Sequence, residues 1–238
     1  MQRSQTMSCP DSSSILEVKA RLKAIFFDLD GTLIDTDDAV LEALADRLKR
    51  FSGLFPQRNP RRFLRRAMLA AEGPVNHVVT LLDTVGLDDN LFSMGDRLRR
   101  LRGMAVQGRF VAVEGVVEMI HALSGSYDVG IITTRSRRDA SAFLQQFRLE
   151  RVFQIVVTRE DTRRLKPHPE PIYCAVDLLG LSPAECAMVG DTVVDIRSAK
   201  AAGSYAIGVL CGFGEREELG TAGADLILEG TAQLKEWF

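Results

Sequence analysis

The chain has 238 residues, 46% of them hydrophobic, and its 30 Lys and Arg against 32 Asp and Glu leave a formal net charge of −2. At about 150 residues per domain this is one or two domains with apolar mass enough for a core, which excludes global disorder. Near-neutral charge removes the general electrostatic drive toward nucleic acid. No run approaches the roughly 18 apolar residues of a membrane span, and the first residues lack the apolar block of a leader, so a cytoplasmic protein without nucleic-acid or membrane partners is expected.

Residues 1–14 are rich in Ser, Gln and Thr and predict a flexible tail. The apolar run at 24–27 stops at Asp28-Leu29-Asp30-Gly31-Thr32, the pattern of a buried strand emptying into a loop. From 37 to 108 the texture is helical. Val40, Leu41, Leu44 and Leu48 recur at spacings of three and four, Phe63, Leu64, Ala67 and Met68 repeat the pattern, and further helices are expected after Gly73-Pro74 and over 91–101. After Gly108, apolar strands at 129–132, 155–157, 187–189, 205–209 and 226–228 alternate with helical segments at 116–123, 140–147, 171–179, 196–202 and 231–237. This alternation predicts an α/β fold: a Rossmann-like parallel sheet with helices on both faces, built from 15–36 and 109–238, with an all-helical module inserted at 37–108. The four cysteines, Cys9, Cys174, Cys186 and Cys211, show no CxxC spacing and read as reduced thiols.

Parallel sheets bind ligands at the carboxyl ends of their strands, so polar residues directly after the apolar runs are the candidates. Four places qualify: Asp28 to Thr32, Thr133-Thr134-Arg135, Lys166-Pro167-His168-Pro169, and Gly190-Asp191-Thr192-Val193-Val194-Asp195. Each alone has a plain structural reading. The first is a strand-ending turn, Asp191 is a helix cap with Asp195 in the acidic first turn, Lys166 is a loop lysine, and Thr133 is a strand-end threonine. Their common order and strand position favour one composite site.

The DLDGT, TT, KPHP and GDTVVD segments resemble, in the same order, the four signature motifs of the haloacid dehalogenase superfamily. The resemblance covers about 23–36 and 110–238, and the insert resembles the family's C1 cap in position. It implies Asp28 as the nucleophile that forms an aspartyl phosphate, and Asp30 as the group that protonates the leaving oxygen and then activates water. It implies Mg²⁺ as cofactor, held by Asp28, the Asp30 main-chain carbonyl and Asp191, with Asp195 either supporting those ligands from behind or reaching the ion through water. Lys166 would pair with nucleophile and phosphate, and Thr133 would donate a hydroxyl hydrogen bond, assisted by backbone amides around Leu29, Asp30 and Thr134.

Outside the motifs, Arg62, Arg65 and Arg66 on one face of a cap helix are either solvated or aimed at an anionic substrate tail. Asp35 is a hinge or a helix cap. Arg135 is a substrate contact or a surface residue. His121 is expected in a core helix and His168 as loop scaffolding. The resemblance implies a Mg²⁺-dependent phosphatase of the phosphoglycolate phosphatase type acting on a small phosphorylated metabolite, as monomer or homodimer. A phosphomutase, a pyrophosphatase and a noncatalytic phosphoprotein-binding module are the alternatives.

Overall fold

The computed structural model describes residues 12–35 and 110–238. The chain divides into two compact units, one of Met1–Ile34 with Ala112–Phe238 and the other of Asp35–Val111. The first carries the sheet. The expected cap helices over 37–108, with Arg62, Arg65 and Arg66, lie outside the described residues.

The described elements follow in order: α1 (Ser12–Arg21), β1 (Ala24–Phe27), α2 (Val116–Leu123), β2 (Asp128–Ile132), α3 (Arg137–Phe147), β3 (Ile155–Val157), α4 (Glu170–Leu179), β4 (Cys186–Gly190), α5 (Val193–Ala202), β5 (Tyr205–Val209), α6 (Arg216–Thr221), β6 (Leu226–Leu228) and α7 (Leu234–Trp237). Short 3₁₀ turns at Pro183–Glu185 and Thr231–Gln233 lead into β4 and α7. The six strands form one sheet in the order β3-β2-β1-β4-β5-β6, every pairing parallel. Consecutive strands run outward from β1 in one direction and from β4 in the other. The switch between these two directions opens a crevice at their carboxyl ends.

The strands are buried because both faces are covered. Ala24 and Phe26 of β1 pack in a cluster with Ile132, Met188, Ile172, Ala175, Ile196 and Ala199, which brings α4 and α5 onto one face. By the two-residue period of a strand, Ile25 and Phe27 point to the other face, where Phe27 meets Phe153 edge to face at 6.4 Å.

Helices α3 and α5 begin three residues before the apolar periodicity does, because their caps are polar. Ser136 accepts from the Asp139 amide ahead of α3, and Thr192 forms a reciprocal capping box with Asp195 ahead of α5. One difference concerns the tail. Ser12–Ser14 already belong to α1, whose far end is tied to the sheet: Leu22 is buried and the Lys23 amide donates to the Glu185 carbonyl at 2.8 Å. Composition near a terminus does not report such an anchor. His121 lies, as expected, in a helix of the sheet-bearing unit, on the exposed side of α2. Where the chain leaves and re-enters this unit, Ile34 and Ala112 form an antiparallel bridge.

Candidate active site

The Asp28 amide continues the ladder by donating to the Val189 carbonyl at 3.0 Å, so its side chain emerges where β1 ends beside β4. Asp191 follows the end of β4, and Asp195 stands in the first turn of α5. Oxygens of these three carboxylates lie within 4.8 Å of one another, and all three side chains are buried. Lys166, only 2% exposed, joins them: its Nζ donates to Asp28 Oδ1 at 2.8 Å, Asp195 Oδ1 at 2.6 Å and the Ile132 carbonyl at 3.0 Å. All three ammonium donors are thus used.

The balance of charge in this cluster is unfavourable as it stands. Three buried carboxylates face one ammonium, leaving two negative charges in excess. Burial pushes the Asp28 carboxyl up to about 7, with Lys166 opposing and Asp195 and Asp30 adding to the rise. Asp191 is raised well above the ordinary carboxylate range by burial and then by the charges of Asp195 and Asp28. Burial alone would lower the Lys166 pKa, but Asp195 and Asp28 more than offset it and raise it.

Oxygen donors with two negative charges in excess match the demands of Mg²⁺, a hard divalent cation that takes one or two carboxylates. Asp191 is positioned for such a role. Its Oδ2 accepts from the Phe213 amide at 2.7 Å and its Oδ1 from the Thr32 hydroxyl at 3.3 Å. Gly31 and Gly212 let two loops close on it, since a Cβ at either would stand 2.2 or 2.0 Å from Asp191 Oδ2. Asp195 is engaged differently. Its Oδ1 accepts from Lys166, and its Oδ2 from the Thr192 amide and hydroxyl at 3.1 and 2.6 Å. It orients the lysine and starts α5 at once.

Next to the carboxylates the backbone offers donors. The Leu29 carbonyl turns inward to accept from Leu33 and Ile34, while among the described residues no acceptor takes the amides of Leu29, Asp30 or Thr134. Thr133 is buried. Its amide donates to Val157, and its hydroxyl oxygen accepts from the Arg135 amide at 3.1 Å, leaving the hydroxyl proton to donate. Amides with no acceptor among the described residues, and a hydroxyl, thus stand together at the ends of β1 and β2 as donors of the kind an anion takes.

The Asp30 carboxylate is forked by Arg135, with Nε donating to Oδ2 at 2.7 Å and a terminal guanidinium nitrogen to Oδ1. Arg135 is therefore no bystander on the surface. His168 scaffolds its loop: Nδ1 accepts from the Glu170 amide at 3.1 Å, and its carbonyl accepts from Ser198. Asp35 is exposed, its amide donating to the Val111 carbonyl.

The residues brought together at the β1 and β4 ends are thus Asp28, Lys166, Asp191 and Asp195, flanked by Thr133, the Leu29 and Thr134 amides and the Asp30–Arg135 pair. Sequence reasoning included Gly31, Thr32 and Thr192 in the candidate segments without giving them a role, and missed Gly212 and Phe213 as parts of the site. The paired glycines of Cys211-Gly212-Phe213-Gly214 were a signal of close backbone approach.

A family model described as haloacid dehalogenase-like hydrolase matches residues 25–209. The chain belongs to this family. It is 31% identical over 214 residues to the pyrophosphatase PpaX of Anoxybacillus flavithermus, covering 90% of this chain and 95% of that one. To the PpaX of Bacillus cereus strain B4264 it is 33% identical over 187 residues, with 77% and 81% covered. Among solved structures, a haloacid dehalogenase-like hydrolase from Streptococcus pneumoniae shares the fold, with a TM-score of 0.65, 22% identity, and 92% and 99% of the two chains covered. A subfamily IA hydrolase of this superfamily from Geobacter sulfurreducens matches at a TM-score of 0.58 and 25% identity, with 91% and 100% covered. As a member of this family the chain is a hydrolase, and its buried acidic group is consistent with a Mg²⁺ site. No helix among the described residues is long and apolar enough to cross a membrane.

Proposed function

We propose that this chain hydrolyses small phosphorylated metabolites through a phosphorylated Asp28. The observation that carries the reading is the Lys166 ammonium bridging Asp28 and Asp195, with Asp191 in the same buried group. A lysine so placed fixes the nucleophile and meets incoming phosphate with positive charge.

In this reading an Asp28 oxygen attacks phosphorus in line with the leaving oxygen. The new O–P bond forms as the old one breaks, and Asp30 supplies the proton that the leaving group takes. Water, deprotonated by Asp30, then cleaves the acyl phosphate and restores Asp28. The amides of Leu29, Asp30 and Thr134 with the Thr133 hydroxyl hold the phosphoryl oxygens. Mg²⁺ bound by Asp28, Asp191 and the Asp30 carbonyl would neutralise charge around the phosphate. Asp195 acts by holding Lys166, and Arg62, Arg65 and Arg66 are left as candidate readers of the substrate's remainder.

Inorganic pyrophosphate is a second candidate substrate, favoured by the PpaX relatives. An anhydride asks for the same nucleophile and the same charge neutralisation as an ester. Phosphate release should be measured on pyrophosphate and on a panel of monoesters, with and without Mg²⁺. Asp28→Asn should lower Mg²⁺-dependent turnover by at least about 10³-fold while the protein stays folded. Undiminished activity in that variant would overturn the reading.

A further inference from the structure

The geometry points to Arg135 as the positioning residue for Asp30, an inference that rests on the acid and base role proposed above. Asp30 follows β1 on an irregular turn closed by Gly31 at φ +70°, and its side chain is about one-third exposed. A carboxylate there has two side-chain torsions to be set. Among the described residues, the side chain that hydrogen-bonds this carboxylate is Arg135, and it takes both oxygens. A planar fork on a planar carboxylate fixes direction as well as distance, which a single hydrogen bond does not.

Arg135 is itself held on both sides of its backbone. Its amide donates to the Thr133 hydroxyl at 3.1 Å, and its carbonyl accepts from the Arg159 amide at 3.4 Å. The residue that carries the fork is thus tied to the threonine at the phosphate cradle, and the end of β2 sets where the carboxyl after β1 can stand. Parallel pairing of these strands, with Phe27 beside Ile131, brings the two ends together. In this arrangement Arg135 acts on the reaction through Asp30. To give or take a proton, Asp30 must free one oxygen from the fork while the other stays held. This lets the carboxyl pivot without losing its place.

A misplaced acid costs most when the leaving group is poor. The test compares kcat/KM, which reports the steps up to leaving-group departure, on phenyl phosphate and on 4-nitrophenyl phosphate. These are esters of similar shape with a poorer and a better leaving group, and both are assayed with Mg²⁺ on the full chain. Arg135→Met should lower kcat/KM at least about tenfold more on phenyl phosphate than on 4-nitrophenyl phosphate. Arg135→Lys, which offers a charge but no fork, should fall between. It carries the test alone if thermal unfolding shows that Arg135→Met does not fold. Equal losses of kcat/KM on the two esters would overturn the inference. Asp28→Asn separates the two levels: if it remains active, the underlying reading fails, whereas if it is inactive while Arg135 variants lose both esters equally, the positioning role alone fails.

Discussion

A Cβ at Gly212 would stand 2.0 Å from Asp191 Oδ2 and 2.4 Å from its carboxyl carbon, so no side chain fits there without moving that carboxylate. Gly212→Ala should therefore weaken Mg²⁺ binding about 10- to 100-fold, as loss of a group that orients a ligand does elsewhere. Titration calorimetry with the metal alone checks this independently of turnover. The same scale explains why Asp195 differs from Asp191 although both belong to the GDTVVD segment. Asp195 spends its oxygens on Lys166 and Thr192, while Asp191 is held by one amide and one distant hydroxyl. Spacing along the chain does not distinguish them; the donors around each do.

At the scale of elements, α4 and α5 stop where glycine permits a left-handed residue. Gly180 after α4 has φ +66° and open space around the position of a Cβ. Gly180→Ala should cost about 1 kcal/mol through backbone strain alone, read as a lower urea midpoint with unchanged slope and unchanged kcat. Element positions were legible because burial on both faces writes continuous apolar runs. Strands 155–157, 205–209 and 226–228 are as expected, and β2 and β4 are one or two residues longer. Helix starts were less legible, since Ser136 and Thr192 cap from outside the apolar periodicity. The helix at Ser12–Arg21 was missed because polar composition hides a segment held by its far end.

For the whole molecule, the buried acidic group couples stability to pH and to metal. Folding lifts the Asp28 pKa from 3.8 to about 7, so the folded chain binds this proton more tightly than the unfolded chain. Its contribution to stability is present below about pH 4 and is lost as pH rises through about 7. Asp191 is shifted in the same direction. The metal-free protein should accordingly lose melting temperature across that window, Asp28→Asn should flatten the slope, and Mg²⁺ should raise the melting temperature more at pH 8 than at pH 5. Melting curves followed by circular dichroism across pH, with and without the metal, check all three. A metal-free melting temperature that rises over this window in the wild type relative to Asp28→Asn would contradict the charge balance.

By itself the sequence determined the order of the strands, five of the helices among and after them, and the four polar segments at strand ends, because periodicity and chain order are local properties; the helices at Ser12–Arg21 and Arg216–Thr221 escaped it. It left the meaning of Asp195, Arg135 and the Cys211 to Gly214 loop undecided. Arg135 and Asp30 are separated by 105 positions and meet only because β1 lies beside β2. Asp191 and Phe213 meet because the loop after β5 folds back over the end of β4. Pairing of strand ends, burial and the resulting shortage of positive charge exist only once the sheet has formed. Those tertiary facts turn separate carboxylates into one site.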